Sequence, residues 1–468
     1  CMKRNVILIC LDSVRKDVFD QRASDIDTRS DISLSQCRAA SSWSPSSHGS
    51  LLTGMLPSVH GVNSNEFDYS VIGRENTFIS NLDGFETIGV SANTHASSVF
   101  NFDRFFDVFC DVAGGSLFPS GMNIKAECRT IDSGGVAFAR SLLSRCLKNP
   151  NSIRSIGNIL AAKAESLSDG KPLPGFLDNG ASTVSHRTLA EIAAATEPVF
   201  VFTNFMEAHE PYRTKRFYGD TDVPNSWSST EVDKWDINTG SVANPEYIKR
   251  YRMLYKQSIG YIDRVVATLI DDIRRQTDRE TTIIVTADHG QNLGFEYEGG
   301  LVGHKASLSE GLLHVPFEIV NPPDSLEIDH NRLQSHLDIG SLITSIAHGT
   351  SFEPSISEKC LPAEILGIGS ELNKVPEDER TYWNRTIRCI YDEDEKIEWD
   401  SLGNTLRFEL SDEHPSWQRQ LEKGVDIPDC ASKIFDHQIR EIGQRSNSQL
   451  GDDVTDAVRD QMQELGYL

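Results

Sequence analysis

This 468-residue chain most clearly lacks long apolar runs and positive charge. It has no apolar run of about 18 residues, the length at which a helix can cross a bilayer, so we expect no membrane span. Only 45 lysines and arginines stand against 69 aspartates and glutamates, which gives a net charge of −24. So acidic a surface disfavours nucleic acid as a partner. The composition suits a soluble acidic enzyme and equally a protein that works in concentrated salt.

The cysteines show no pattern that would predict disulfides. There are nine of them, an odd number, and none forms a CxxC pair. This predicts free thiols in a reduced compartment. The stretch before the first apolar run is too short for a secretory signal, so we expect a cytoplasmic protein. Composition leaves the oligomeric state open.

Three apolar runs rich in β-branched residues predict strands that are buried on both faces, as in a parallel sheet. They are Asn5–Leu11, Pro198–Phe205 and Thr281–Ala287. Between the second and third, residues 247–275 have the apolar spacing of a long helix that faces a core. Strands that alternate with helices in this way predict an α/β fold.

Polar side chains follow each of these three strands. Asp12 ends the first, His209 follows the second, and Asp288 and His289 end the third. Ligands of open α/β sheets gather at the carboxyl ends of strands, and a carboxylate with an imidazole suits a divalent ion. A helix cap for the aspartate and a structural turn for the histidine are the alternatives.

A loop rich in small hydroxyl residues, Ser42–Gly54, has no core character. Its small side chains let a backbone approach a ligand closely, and its N–H groups favour an anion where such a loop opens a helix. One of its hydroxyls could be a nucleophile if a base or a metal lowered its pKa. The loop residues alone leave the choice among five serines open.

The chain divides into two parts by composition. Residues 1–350 hold the strands and polar strand ends, with a probable insertion at 113–195, a polar loop at 213–243 and a closing helix at 333–346. Residues 351–468 are acidic and predict a smaller α+β subdomain with short strands, a solvated acidic run at 392–395 and a terminal helix at 454–465.

These pieces together resemble the sulfatase family of the alkaline phosphatase superfamily. The resemblance implies a central, mostly parallel sheet flanked by helices, and the last four residues resemble the tail of many archaeal members. The matching pieces are Asn5–Asp12, Ser44–Gly54, Pro57–Val62, His209–Tyr212, Asp288–Gly290 and His304–Pro316.

The resemblance implies a site for one divalent metal ion. Counted back from the Thr-Gly pair that closes the loop, the nucleophile position falls on Ser44. The implied metal ligands are Asp12, Ser44, Asp288 and His289. Oxygen-rich ligands suit calcium, magnesium or manganese, whereas zinc is less expected although the imidazole shifts the balance slightly towards it.

The resemblance also implies roles for other side chains. Ser44 would attack the ester, His48 and Lys305 would offset charge on the equatorial oxygens, and His209 would protonate the leaving group. The remaining implied substrate contacts are Asn93, His95 and His304.

Three departures from the family's loop pattern bear on the substrate. Pro45 comes one residue early, Ser46 stands where proline is expected, and His48 replaces an arginine. Conversion of Ser44 to formylglycine depends on that proline and arginine. These departures point towards an unmodified serine, as in members that act on phosphate esters. The resemblance as a whole implies hydrolysis of sulfate esters of an anionic small molecule or glycan, and this is the first expectation. The alternatives are phosphate mono- or diester hydrolysis or phosphotransfer by an unmodified serine, and a catalytically silent member that binds an anionic sugar.

Overall fold

The computed structural model describes residues 3–112, 114–131, 135–168, 173–392, 395–435 and 439. The strands are β1 Asn5–Leu11, β2 Ile32–Ser33, β3 Cys37–Arg38, β4 Glu86–Ser91, β5 Val108–Asp111, β6 Val199–Phe205, β7 Thr281–Ala287, β8 Asn292–Leu293, β9 Val302–Gly303, β10 His314–Val315, β11 Phe317–Val320, β12 Gln334–Ser335, β13 Leu361–Leu366, β14 Thr386–Asp392, β15 Glu395–Asp400, β16 Thr405–Leu410 and β17 Gln418–Lys423.

Helices lie between and around these strands, and several short 3-10 turns join them. The helices are α1 Lys16–Arg22, α2 Ser24–Asp27, α3 Ser44–Thr53, α4 Pro57–His60, α5 Ile124–Arg129, α6 Gly135–Lys148, α7 Ser152–Ser168, α8 Ala181–Ala194, α9 Lys234–Asn238, α10 Pro245–Gln276, α11 Glu310–Leu313, α12 Ile339–His348, α13 Arg380–Trp383 and α14 Ala431–Ile434.

The central sheet has seven strands in the order β2-β11-β7-β1-β6-β4-β5. The five strands from β7 to β5 run parallel, while β11 and β2 are antiparallel to their neighbours. Every residue of β1, β6 and β7 is buried, which is why their sequences are mostly apolar and do not alternate. Helices flank the sheet, and the predicted α/β fold is confirmed.

The C-terminal part forms a five-stranded antiparallel sheet in which β13 to β17 follow one another. Leu361, Ile387 and Tyr391 of this sheet belong to the same buried cluster as the central strands. Lys396 contacts Glu310 of the larger part, with their charged atoms 3.2 Å apart. The smaller subdomain therefore packs directly against the larger part, and its boundary at residue 350 stays a prediction.

The predicted helix at 333–346 is wrong in its first turns. Gln334 and Ser335 form β12, which pairs with β3. The Ser335 hydroxyl then accepts a hydrogen bond from the Leu337 N–H at 3.1 Å and opens a short 3-10 turn. The helix begins only at Ile339, because strand pairing and the serine cap satisfy the preceding backbone groups.

Two other segments differ from expectation. The polar loop at 213–243 contains α9 and is anchored by the buried side chains of Trp227 and Trp235. Within the predicted insertion, Met122, Leu142 and Cys146 form a small cluster of their own around α5 to α7. By contrast, α8 packs in the main core, so the separate unit is shorter than 113–195.

Cys360 and Cys430 form a disulfide, with their Cα atoms 6.3 Å apart. The expectation of free thiols throughout is therefore wrong, because distant positions come together only in the fold. Disulfides persist mainly in oxidising compartments, so this bond argues against the predicted cytoplasmic location.

Within the described ranges no helix is long and apolar enough to cross a membrane. Three predictions lie partly or wholly outside those ranges. They are the centre of the acidic run at 392–395, the terminal helix at 454–465 and the tail at 465–468.

Candidate active site

The ends of three parallel strands bring the predicted site residues to one edge of the central sheet. β1 lies between β6 and β7, and Leu11 pairs with Phe205 on one side and with Ala287 on the other. Asp12 and Asp288 directly follow two of these strands, and the loop after Phe205 leads to the third candidate residue. Adjacent parallel strands therefore place the predicted polar side chains at a common edge.

Asp12, Asp288 and His289 form a fully buried cluster whose possible ligand atoms lie within 4.8 Å of one another. The Ser13 N–H donates to Asp288 Oδ1 at 3.0 Å, whereas Asp288 Oδ2 has no hydrogen-bond donor in the described part of the chain. Burial and the Asp288 charge raise the pKa of Asp12. Two adjacent buried carboxylates, one with an uncompensated oxygen, fit a divalent cation.

Ser44 is the first residue of α3, and Pro45 follows at a position where a helix needs no N–H donor. The Ser44 Oγ lies 3.2 Å from Asp12 Oδ2 and 3.0 Å from His289 Nε2. His289 Nδ1 donates to the Gly290 carbonyl oxygen at 2.8 Å, so its Nε2 presents a lone pair to the hydroxyl. Both a base and the candidate metal ligands therefore surround this oxygen.

His48 lies behind the nucleophile position. Its Nδ1 donates to the Ser44 carbonyl oxygen at 2.7 Å, and its Nε2 accepts from Asn204 Nδ2 at 3.2 Å. The ring contacts Phe102 and Phe202 edge-on, and burial lowers the pKa of His48 to about 4. A neutral imidazole with both nitrogens occupied does not suit the expected charge-offsetting role. Its position corrects that expectation, because His48 instead holds the start of α3.

Asn93 and His95 lie beside this cluster but in different surroundings. Asn93 Nδ2 donates to Asp12 Oδ2 at 2.6 Å, and Asn93 Oδ1 accepts from the His95 N–H at 2.7 Å. The His95 ring stacks on Phe100 and meets the edge of Trp43. Asn93 thus orients the candidate metal ligand Asp12. This differs from the substrate contact that was expected of Asn93.

His209 and His304 have rings whose centroids lie 5.3 Å apart, and His304 is 4.6 Å from His289 in the same measure. His209 Nδ1 donates to the Glu210 carbonyl oxygen at 2.5 Å. His304 Nδ1 donates to Gln291 Oε1 at 3.0 Å, and its buried Nε2 has no hydrogen-bond partner among the described residues. Two imidazoles therefore lie close to the candidate metal ligand His289.

Lys305 meets a carboxylate from the C-terminal part of the chain. Its Nζ lies 2.9 Å from Glu371 Oε1 and 5.0 Å from the centre of the Trp43 ring. Lys234 Nζ lies 3.2 Å from the same Glu371 oxygen, and the Trp235 indole N–H donates to Glu371 Oε2 at 2.7 Å. Although burial acts to raise it, the two lysines lower the pKa of Glu371, so the carboxylate is ionised.

Sequence reasoning missed four residues that contact the site: Ser13, Asn204, Lys234 and Glu371. Ser13 donates from Oγ to Asp12 Oδ1 at 2.7 Å and has a φ of 62°. A polar residue directly after a metal-ligand aspartate was a usable signal for Ser13. Lys234 begins the short helix α9 in a stretch predicted as a polar loop, and Glu371 lies in another subdomain, so neither had a local signal.

Comparison with known proteins identifies relatives over most of the chain. The sequence model of the Sulfatase family matches residues 4–349. The choline-sulfatase of Rhizobium meliloti (strain 1021) is 28% identical in an alignment 172 residues long that covers 33% of this chain and 32% of that protein. The match thus spans about a third of the length of this relative.

Solved structures resemble the chain over a greater length. The phosphonate monoester hydrolase of Agrobacterium radiobacter has a TM-score of 0.58 at 12% identity, covering 87% of this chain and 89% of its own. A protein solved with its substrate D-glucosamine-2-N,6-O-disulfate has a TM-score of 0.57 at 11% identity, covering 87% and 91%. At these identities the likeness shows the fold alone.

Proposed function

The chain belongs to the sulfatase family, and on this basis we propose that it is a metal-dependent hydrolase of sulfate esters with Ser44 as its nucleophile. The observation that carries the proposal is the position of the Ser44 Oγ, 3.2 Å from Asp12 Oδ2 and 3.0 Å from His289 Nε2. A hydroxyl at a helix start, beside two carboxylates and an imidazole, is placed for activation.

Asp12, Asp288 and His289 would hold one divalent ion, with Ser44 beside them. When bound, such an ion supplies Lewis-acid polarisation of the ester oxygens and lowers the pKa of the nucleophile. Calcium, magnesium and manganese suit the carboxylates, and the imidazole also admits zinc. The unpartnered Asp288 Oδ2 supports this assignment because a buried carboxylate oxygen requires compensation.

The chain's own residues would then carry the displacement. Ser44 Oγ would bond to the ester sulfur while its proton passes to Asp12 Oδ2, 3.2 Å away. Lys305 would offset charge on the sulfuryl oxygens. The bond from sulfur to the leaving oxygen would break, and His209 would protonate that oxygen.

His209 is the proposed acid because it follows the end of β6, and its Nδ1 hydrogen bond to Glu210 fixes the ring. His304 lies close enough to be a second candidate, since the two ring centroids are 5.3 Å apart. The covalent Ser44 ester would finally be cleaved by water if the serine is unmodified.

Phosphate mono- or diester hydrolysis or transfer is the second candidate. His48 favours it because the family's arginine is replaced by a neutral, buried imidazole that fixes the Ser44 backbone. Without that arginine, we expect the serine to stay unmodified. For either chemistry the substrate we propose is an anionic small molecule or glycan ester.

The test combines mass spectrometry with a matched set of substrates. The mass of the Ser44 peptide distinguishes serine from formylglycine. Turnover of 4-nitrophenyl sulfate, 4-nitrophenyl phosphate and bis(4-nitrophenyl) phosphate is measured with each metal, for the wild type and for Ser44→Ala and Asp12→Ala. Full activity in both variants on any hydrolysed ester contradicts the mechanism, and preferred phosphate turnover selects the second candidate.

A further inference from the structure

We propose that Glu371, with Lys234 and Lys305, makes the site selective for esters that carry one negative charge over esters that carry two. The inference rests on the proposed function, because it concerns the group that the hydrolase would bind. It names a residue from the C-terminal part of the chain as a determinant of the substrate class: sulfate monoesters or phosphate diesters in place of phosphate monoesters.

The ammonium groups of Lys305 and Lys234 both contact the same carboxylate oxygen of Glu371. Lys305 Nζ is 2.9 Å and Lys234 Nζ is 3.2 Å from Glu371 Oε1. The Glu371 side chain is 1% exposed, and the Trp235 indole N–H fixes its other oxygen at 2.7 Å. The three charges therefore form one rigid, buried group that cannot separate without losing these hydrogen bonds.

The Lys305 end of this charged group lies near the residue that precedes the nucleophile. Lys305 Nζ lies 5.0 Å from the Trp43 ring, and Trp43 immediately precedes Ser44. An ester held by Ser44 and Lys305 would consequently feel the charges of Lys234 and Glu371 as well.

The net charge of the group explains the selectivity. Two lysines and one carboxylate leave one positive charge, which matches a sulfate ester or a phosphate diester. A phosphate monoester is close to doubly charged at pH 8, because its second pKa is about 6. Glu371 adds repulsion that grows with each substrate charge. At an effective dielectric constant of about 20, a unit charge roughly 10 Å from the ester changes the affinity for that ester by about tenfold.

The experiment uses two variants with opposite expected effects. Glu371→Gln removes a negative charge and should raise the ratio of kcat/KM for 4-nitrophenyl phosphate over 4-nitrophenyl sulfate about tenfold. Lys234→Met removes a positive charge and should lower that ratio by a similar factor. The leaving group is the same in both substrates, so the ratio reports charge.

Binding provides a readout that does not depend on turnover. Calorimetric titration of the metal-loaded protein with inorganic sulfate, a dianion, and with sulfamate, a monoanion, should show the same opposite shifts in the two variants. Because the two variants shift in opposite directions, a general loss of structure cannot imitate the result. If one variant fails to fold, the other is compared with the wild type and with Glu379→Gln.

Glu379→Gln is the matched control, since Glu379 also accepts from a tryptophan indole, that of Trp383, at 2.8 Å but forms no lysine pair in the described structure. Unchanged ratios in Glu371→Gln and Lys234→Met, or equal shifts in the control, overturn the inference. If the wild type cleaves none of the esters while the binding ratios shift as expected, the proposed function is wrong and the charge selectivity stands.

Discussion

The Nδ1 of His48 donates to the carbonyl oxygen of Ser44, one helical turn earlier in α3, at 2.7 Å. The same ring accepts from Asn204 Nδ2 at 3.2 Å through its other nitrogen. The residue that stands where the family has an arginine thus ties the nucleophile's own backbone to the strand β6. His48 therefore supports the backbone of Ser44 and lies behind the reacting atoms.

Replacing His48 by Phe should destabilise the protein by about 1–3 kcal/mol, because it removes the side-chain hydrogen bond to the Ser44 carbonyl and leaves the buried Asn204 amide without its imidazole partner. We expect kcat to fall about tenfold or more, with little change in KM, since the defect is in positioning. Urea unfolding and steady-state kinetics measure the two effects. An active, stable His48→Arg variant would contradict a neutral, supporting role.

Metal binding should raise the thermal stability of the wild type. An ion at a hundred times its Kd adds about 2.7 kcal/mol to the free energy of unfolding. In Asp288→Asn the same ions should add much less, although the metal-free variant should be as stable as the wild type because one of two adjacent buried carboxylates is gone. Melting curves with magnesium, calcium, manganese and zinc test this. Equal stabilisation of both proteins counts against the site.

The residue that protonates the leaving group can be identified by comparing kcat/KM for esters with different leaving groups. His209→Ala should reduce kcat/KM by about 10²–10⁴-fold for alkyl esters, which need a proton, and far less for nitrophenyl esters. His304→Ala serves as the comparison, since its ring lies 5.3 Å from that of His209. If kcat/KM for alkyl esters falls more in His304→Ala than in His209→Ala, His304 is the residue that protonates the leaving group.

Stability should fall as the solution becomes acidic, in part because of His60. Its Nδ1 accepts from the Val62 N–H at 3.1 Å, its Nε2 lies 3.2 Å from Ser50 Oγ, and burial lowers the pKa of His60 to about 3. As pH drops below about 6.5, the unfolded chain takes up a proton that the folded chain refuses. The His60 contribution is therefore complete above pH 6.5 and is lost progressively down to about pH 3.

The slope from this one group is about 1.4 kcal/mol per pH unit. Urea unfolding between pH 7 and pH 4 should show it in the wild type, and His60→Gln should reduce the slope by about one proton. The comparable buried His336, whose pKa is also lowered to about 3, contributes to the slope in the same way and is a second variant to compare. A slope that is the same with and without His60 refutes the assignment.

Much of the fold could be predicted because burial on both faces leaves a direct mark on a strand's sequence. The continuous apolar runs became β1, β6 and β7, and the residues at their ends became neighbours because parallel strands end at one edge. The start of α12 was not predictable in this way. Whether Gln334 and Ser335 pair as a strand depends on β3, almost 300 residues earlier.

The sequence by itself determined the strands, the family and the candidate metal ligands Asp12, Asp288 and His289, because these depend on local patterns and on order along the chain. Only the tertiary structure decided what His48 and Glu371 do. Burial between Phe102 and Phe202 keeps the His48 imidazole neutral, and packing of the C-terminal part brings the Glu371 carboxylate into contact with two lysines of the larger part. The protonation state of His48 and the ion-pair partners of Glu371 depend on segments that are distant in the chain. No local pattern of residues can therefore predict them.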